Sequence, residues 1–355
     1  MLSNCEMPTS EPRFANFGSV FLGPVLSFFS QRLLNNQPPD QPLYFLAREG
    51  YWLQQAYNQH LNGAGKQRNS YYLLASRAFL FKLLLSDERS YAYSLKGNFT
   101  GTFYDLMRTR FLLCDSEITS IFTEHVFNTQ IDLKKDKSKV IAILIDNHDK
   151  IGLLVAPIKC AYLAYLKSIE VTAQHTLHLV DLGYSGTIQC LLGILLNKNT
   201  HGHYLISSNP GSHKVANTNA FMQGYLKEGV KLGDGYLALD RSMFLESLLT
   251  APNGQFRDIK FNTLNPKQFD MYYGRKVASQ RYFHLLEQVM AGALNLCKHN
   301  AQYAVSFTAN ELETLLEGYL AKPNMIPHAV RHIFDIDDDV AGNGTVNAIQ
   351  FFGLG

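Results

Sequence analysis

The sequence predicts an α/β fold in which a mostly parallel, Rossmann-like sheet is wrapped by helices and followed by a helical C-terminal part. Two apolar runs, 43–47 and 176–181, have the pattern of buried strands, and each passes through a polar, glycine-containing turn into a helix pattern. The second unit is followed by another strand pattern at 203–207, which completes the strand, turn, helix, strand order of a parallel crossover. After about residue 240 the apolar spacing is helical.

The other elements follow from the same periodicities. Residues 19–35 have helical spacing, with Pro24 near the start. The remaining predictions, in chain order, are a helix at 51–60, a strand at 70–75, a helix at 78–86, a mostly helical stretch at 102–170, a turn at 182–186, and helices at 187–196, 241–250, 267–298, 309–321 and 325–334. The predicted organisation is a leader at 1–18, an α/β core domain at 19–240 with a helical insertion at about 100–170, and a helical C-terminal part at 241–355.

One apolar stretch, 140–149, fits two structures. It could be a strand that ends in the metal-ligating side chains of Asp146, His148 and Asp149, or a helix with one apolar face. The helix is favoured because the same pattern continues towards Tyr165. On that interpretation the three polar side chains form a helix face and not a metal site.

Composition and charge argue against a nucleic-acid partner, a disulfide framework and a membrane span. The net charge of +2 and the absence of long basic runs argue against a nucleic-acid partner. The five cysteines lack a CxxC pair, which argues against a disulfide framework and fits a reducing cytoplasm. No uninterrupted apolar run approaches the roughly 18 residues of a membrane span, so none is expected.

The turn after the second apolar run predicts an anion site. Asp181 ends the strand, and Gly183 and Gly186 permit a tight turn and a close approach of a ligand to the backbone. Ser185 and Thr187 lie at the start of the next helix, where free amides and hydroxyls favour phosphate. Asp181 is a candidate Mg²⁺ ligand and catalytic acid or base. The same residues could instead form an ordinary capped turn.

The turn after the first apolar run contains two charged side chains. Arg48 could bind phosphate, and Glu49 could act as a catalytic base or bind a metal. Arg77 follows the run at 70–75 in the same way and is a second candidate phosphate contact. Because parallel strands end at one edge of a sheet, these side chains are expected near Asp181. Alternatively, the arginines could form internal salt bridges that only hold the sheet edge.

Three further groups of polar residues are candidate sites that the sequence does not favour. The histidines at 175, 178, 201, 203 and 213 flank strand starts without helical metal-ligand spacing, so no metal site is expected among them. The acidic segment Asp335-Ile-Asp-Asp-Asp339 lacks the glycine and closing glutamate of an EF-hand and is expected to be a solvated loop. Glu246 is expected on a helix surface, with membership of the site as the alternative.

Several segments together resemble a known family. They are Gly23-Pro24 with Phe28, Leu43–Trp52, Leu74–Arg77, Val180–Gln189 and Phe244–Gly254, in this order. Over about residues 20–340 they are similar to the region that follows the hydrolase domain in bacterial predicted hydrolases of the haloacid dehalogenase (HAD) superfamily. This resemblance implies a place in surface-polysaccharide metabolism and a glycosyltransferase or hydrolase partner. The catalytic D-x-D-x-T turn of that superfamily has no counterpart here, so HAD catalysis does not carry over.

A looser likeness is to type I phosphoribosyltransferases. Their phosphate loop follows a strand that ends in acidic residues, as Ser185-Gly186-Thr187 follows Asp181. Two functions therefore stay open. One is an enzyme, a hydrolase or transferase, acting on a phosphorylated sugar or nucleotide. The other is a non-catalytic binding or scaffold partner of a polysaccharide or glycosyltransferase system.

Overall fold

A six-stranded sheet forms the centre of the molecule. The computed structural model describes residues 12–322, 325–335, 337–339 and 345–353. The strands of this sheet are β1 (Leu43–Leu46), β2 (Ser70–Leu73), β5 (Thr176–Asp181), β6 (Asn199–Ser207), β7 (Gly211–Val215) and β8 (Thr218–Glu228). Their order is β2-β1-β5-β6-β8-β7; the first five are parallel, and β7 pairs with β8 in the antiparallel sense. The predicted α/β, mostly parallel Rossmann-like fold is therefore confirmed.

Three small two-stranded sheets lie outside the central one. They pair β3 (Thr100–Thr102) with β4 (Gln130–Asp132), β9 (Phe256–Phe261) with β10 (Phe269–Tyr273), and β11 (Asp337–Asp339) with β12 (Thr345–Asn347). All three are antiparallel.

Helices cover both faces of the central sheet. The helices are α1 (Pro12–Phe17), α2 (Gly23–Asn36), α3 (Gly50–Gly63), α4 (Arg77–Leu83), α5 (Tyr91–Ser94), α6 (Phe103–Arg110), α7 (Asp115–Ile121), α8 (Glu124–Phe127), α9 (Lys137–Asp146), α10 (His148–Ser168), α11 (Thr187–Leu196), α12 (Leu237–Asp240), α13 (Met243–Leu248), α14 (Phe283–Gln302), α15 (Ala309–Ala321) and α16 (Ala348–Phe352). A π-helical turn at Gly18–Leu22 joins α1 to α2, and 3₁₀ turns lie at Glu88–Ser90, Val171–Ala173, Ala278–Tyr282 and His328–Phe334.

Alternate residues of the central strands enter two separate cores. Tyr44 and Leu46 pack with the helices of the middle region, whereas Leu43 and Phe45 pack with the helices from the two ends of the described chain. Strands that are buried on both faces have continuous apolar runs, and this is the pattern that identified β1 and β5 in the sequence.

Several predicted elements differ from the structure. The leader expected to reach residue 18 is helical from Pro12, with Phe14 buried, and residues 1–11 lie outside the described residues. The helix expected at 267–298 begins only at Phe283, because residues 269–273 pair with β9. The expected acidic loop contains β11, and the helix expected at 325–334 is a 3₁₀ turn.

The ambiguous stretch at 140–149 is helical, as favoured. It spans the end of α9 and the start of α10, and Asp146 and Asp149 are exposed. The metal-ligating strand end is therefore not formed.

Two helical stretches have the length and hydropathy of a membrane span. They are Pro12–Asn36, which is 67% buried over its most apolar window, and His148–Ser168, which is 39% buried. A buried core helix meets the same two criteria, so these helices do not argue for a span. No membrane span was expected from the sequence.

The first helices are fixed by close backbone packing against α14. A Cβ atom on Gly292 would lie 1.8 Å from the carbonyl oxygen of Ala15, and one on Gly18 would lie 1.7 Å from the carbonyl oxygen of Val289. Glycine is required at both positions because no side chain fits between these backbones.

We predict that Gly292→Ala lowers the free energy of unfolding by at least about 1–3 kcal/mol, the usual cost of overpacking. Gly152→Ala, on α10, is the matched control, because its new Cβ would meet no atom within 4 Å. That control should stabilise the helix by about 0.5–1 kcal/mol. Denaturant unfolding measures both effects, and equal effects of the two substitutions would contradict this account of the packing.

Candidate functional site

The two predicted turns meet where the strand order reverses. Numbered by sequence among the parallel strands alone, the order β2-β1-β5-β6-β8 is 2-1-3-4-5. The chain moves to one side of the sheet after β1 and to the other side after β5, so the switch point lies between them. Ligands of open α/β sheets bind at the carboxyl ends of the strands at such a point. The turn after β1 and the turn after β5 both lie there.

A cavity of about 600 Å³ occupies this switch point. Every site residue predicted from the sequence lines it: Arg48, Glu49, Arg77, Asp181, Gly183, Ser185, Gly186 and Thr187. The structure therefore brings together residues from three segments that are up to 139 positions apart in the chain, from Arg48 to Thr187 (187 − 48).

The glycines of the second turn are required by the protein's own packing. A Cβ on Gly183 would lie 2.6 Å from the carbonyl oxygen of Ile206. Gly186 has a φ of +72°, and its Cβ would lie 2.3 Å from the side chain of Met222. The sequence predicted that these glycines permit a tight turn and a close approach of a ligand. Their contacts with β6 and β8 already require glycine at both positions. The peptide bonds Gly183–Tyr184 and Ala47–Arg48, one in each turn, are cis.

The helix that follows the second turn begins without a side-chain cap. Gly186 occupies the N-cap position of α11, so the N-cap residue has no side chain that could accept a hydrogen bond from the first turn of this helix. The first backbone N–H groups of a helix have no acceptor within it and carry a partial positive charge. The hydroxyl oxygens of Ser185 and Thr187 lie 3.2 Å apart beside these amides. This end of the cavity is therefore suited to an oxyanion.

The first turn leaves its arginine available. Glu49 turns back and accepts a hydrogen bond from the Arg48 backbone N–H at 3.2 Å, and α3 then begins at Gly50, again without a side-chain cap. Across the part of the chain that the structure describes, neither Arg48 nor Arg77 forms an ion pair with a carboxylate. The closed salt bridge that the sequence left as an alternative is therefore not formed, and the cavity is open.

A third acidic side chain reaches the cavity from a distant segment. Glu246, on α13, also lines it, although the sequence favoured an exposed helix surface for this residue. The following segment is held by hydrogen bonds from Trp52 Nε1 to the Thr250 carbonyl at 3.0 Å and from Gln280 Nε2 to the Ala251 carbonyl at 2.6 Å. Because Trp52 belongs to α3, the same helix that begins at the first turn also fixes the segment that follows Glu246.

Two carboxyl groups of this cavity, those of Asp181 and Glu246, hold protons more tightly than usual. Burial raises the pKa of Asp181 well above its usual range, and the negative charges of Glu49 and Glu246 raise it further. Burial also raises the pKa of Glu246, and the charge of Glu49 adds to this effect. Hydrogen bonds with Ser242 and Tyr184 and the charge of Arg48 act on the pKa of Glu246 in the opposite direction. Such shifts are typical of groups that transfer protons or bind cations.

Sequence reasoning favoured a helix surface for Glu246, with membership of the site as the alternative, and did not identify Tyr184. Both line the cavity, and burial together with the charge of Glu246 raises the pKa of the Tyr184 hydroxyl well above its usual value. Tyr184 lies inside the predicted turn, so its position was a usable signal. Glu246 carried no local signal, because only the packing of α13 against the sheet edge brings it there.

The structure brings three of the five histidines together. No metal site was expected among them, yet ring nitrogens of His178, His201 and His203 lie within 4.8 Å of one another. The expectation rested on the absence of helical metal-ligand spacing. However, these residues lie on the paired strands β5 and β6. A His-x-His pair in a strand, as at 201 and 203, places both rings on one face and was the available signal.

Comparison of the sequence with protein-family models and with curated proteins found no match.

We predict that Asp181→Asn stabilises the protein at pH 8 and has little effect on its stability at pH 4. A carboxyl group whose pKa is raised by folding destabilises the folded state once the pH exceeds its unfolded value of about 3.9. The penalty grows until the pH passes the folded pKa, so removing the charge gains most at high pH. Each kcal/mol of relieved penalty would raise Tm by roughly 2 °C in a chain of this size.

Thermal unfolding at both pH values measures this effect. Asp146→Asn, on the exposed face of α9, is the control for the loss of one surface charge. A Tm gain for Asp181→Asn that is equal at both pH values would show that folding does not raise the pKa of this carboxyl group.

Proposed function

We propose that this protein binds and acts on a phosphorylated sugar or nucleotide at the carboxyl edge of its central sheet. The observation that carries the proposal is that all eight residues selected from the sequence line one open cavity at the switch point of the sheet. Its volume of about 600 Å³ lies in the range of about 300–1,000 Å³ that small-molecule sites occupy.

The phosphate group is assigned to the second turn. It would lie at the start of α11, against the first backbone N–H groups of the helix and the hydroxyls of Ser185 and Thr187. Arg48 and Arg77 would neutralise its charge, since neither guanidinium is engaged by a carboxylate of the described residues. A phosphate is favoured over a carboxylate because two arginines and an uncapped helix start line the same cavity.

The chemistry is assigned to the carboxyl groups. Asp181 and Glu49 would move a proton to or from the reacting oxygen, and the raised pKa of Asp181 keeps a proton available closer to neutral pH. This arrangement serves either hydrolysis or group transfer, the two reaction classes that the sequence leaves open.

Alternatively, Asp181 in its ionised form would hold Mg²⁺. The residues fit this ion, because Mg²⁺ prefers oxygen ligands and is usually bound by one or two carboxylates together with substrate phosphates. When bound, Mg²⁺ would supply positive charge to the phosphate oxygens. Asp181 and Glu49 offer carboxylate oxygens in the same cavity.

The biological setting of the proposal rests on the family resemblance. Similarity to the region after the HAD domain supports a role in surface-polysaccharide metabolism beside a glycosyltransferase or hydrolase partner. The type I phosphoribosyltransferase likeness supports a phosphorylated sugar as the ligand. Both likenesses include the turn from Asp181 to Thr187.

We predict that sugar phosphates, nucleotides, nucleotide sugars or phosphoribosyl pyrophosphate include a compound that raises Tm of the wild-type protein and not of Arg48→Ala. A ligand at 100 times its dissociation constant should stabilise the protein by about 2.7 kcal/mol. Arg108→Ala is the matched control, because this exposed arginine lies on α6 and does not line the cavity. It should retain the full ligand-induced shift.

If no compound stabilises the wild type, or if Arg48→Ala responds as strongly as Arg108→Ala, the small-molecule proposal fails. The scaffold function left open by the sequence would then be the better account, and partner proteins would be sought by affinity purification.

A second prediction separates ligand binding from Mg²⁺ binding. Asp181→Asn keeps the start of α11 and both arginines, so it should still bind the phosphorylated compound without Mg²⁺. The additional stabilisation that Mg²⁺ gives to the wild-type complex should be lost, together with any turnover. Thermal shifts with and without Mg²⁺ test this, and an unchanged Mg²⁺ effect in the variant would remove Asp181 as the metal ligand.

A further inference from the structure

Three histidines lie together on the face of the sheet that α2, α3 and α14 cover. His178, on β5, is paired in register with His201 on β6, and His203 follows two residues later on the same strand. Residues directly opposite in neighbouring strands and residues two apart in one strand share a face. The three rings therefore project from one patch of two adjacent strands. We call them the histidine triad.

The rings of the histidine triad are in direct contact. His178 Nδ1 and His203 Nε2 are 2.9 Å apart, and the rings of His201 and His203 stack with centroids 4.3 Å apart. One nitrogen from each ring lies within 4.8 Å of the others. In a tetrahedral zinc site with Zn–N distances of about 2.0–2.1 Å, ligand nitrogens are roughly 3.4 Å apart, so modest ring rotations would bring this set to that spacing.

The hydrogen bonds around the triad fix two of the rings and leave one ring nitrogen without a partner among the described residues. Nδ1 of His203 contacts the Tyr225 hydroxyl at 2.7 Å, which fixes that ring and turns its Nε2 towards His178. Nε2 of His201 is buried and has no hydrogen-bond partner among the described residues. A buried polar atom without a partner is costly, and a bound cation would satisfy it.

Burial favours the neutral form of the triad. It lowers the pKa of all three rings, and the positive charge that a neighbouring imidazolium would carry lowers it further at His178 and His203, to about 4 at His178. Metal ions bind the neutral imidazole. Arg32, on α2, lies near Tyr225, and the side chain of Gln223 lies near the His201 ring.

We propose that His178, His201 and His203 bind one Zn²⁺ ion. Three imidazoles without a thiolate or carboxylate match the His₃ ligand set of zinc, with a fourth position left for water. The Tyr225 hydroxyl orients His203, as outer partners of metal-bound histidines commonly do.

The ion would join β5 to β6 directly and to β8 through Tyr225. This site is separate from the cavity that contains Asp181, because none of the three histidines lines that cavity. Zinc binding is therefore expected to be independent of Arg48 and of phosphorylated ligands, and failure of one proposal leaves the other standing.

Zinc binding is tested on tag-free protein that has been stripped with chelator and dialysed into metal-free buffer. Isothermal titration with Zn²⁺ alone should show one site, and Co²⁺ should give the visible absorption of a tetrahedral complex. His201→Ala is the first variant, since this ring is the least buried of the three. Its affinity should fall by more than the roughly 10–100-fold that Tyr225→Phe should cost.

The control is His175→Ala, which removes an exposed histidine three residues before His178. It should bind Zn²⁺ like the wild type, and far-ultraviolet circular dichroism confirms that each variant is folded. If the wild type takes up no Zn²⁺, or if His201→Ala binds it as tightly as the wild type, the proposal is overturned.

Discussion

The parallel pairing of β1 with β5 is the constraint on which the candidate site depends. It joins Leu43 to His178 and Phe45 to Val180 across more than a hundred intervening residues. Each strand ends in a polar turn, and only this pairing brings the turns to one position. The same strand, β5, presents Asp181 at its carboxyl end and His178 three residues earlier. The cavity and the histidine triad therefore share one structural element and use different residues of it.

The charges of the cavity are not paired with one another. Burial, together with the charges of neighbouring carboxyl groups, raises the pKa of Asp181 and Glu246, although two arginines at the same cavity form no ion pair with them. A protein optimised only for stability would pair these charges, since unpaired buried charge is costly. A bound phosphate would engage the arginines, and a cation or a proton would relieve the carboxylates.

The strand, turn, helix units at 43–63 and 176–196 could be predicted because a doubly buried strand leaves a continuous apolar run. The eight candidate residues followed, since parallel strands end at one edge. β8 and β10 were not predicted, because exposed residues interrupt the apolar runs of both strands. In addition, the spacing of apolar residues around 269–273 resembles that of a helix. Glu246 was placed at the site only as the alternative, and the histidine triad was missed, because both depend on tertiary packing and strand register, which local sequence does not state.

The most direct test of the central claim is to observe which amides contact a phosphate. Backbone amide chemical shifts of ¹⁵N-labelled protein would be followed by NMR during titration with ribose 5-phosphate. The account predicts the largest changes at Gly186, Thr187 and Ile188, with smaller ones at Arg48 and Glu49. Saturating changes confined to a surface away from the start of α11, or no changes with any phosphorylated sugar or nucleotide, would contradict it.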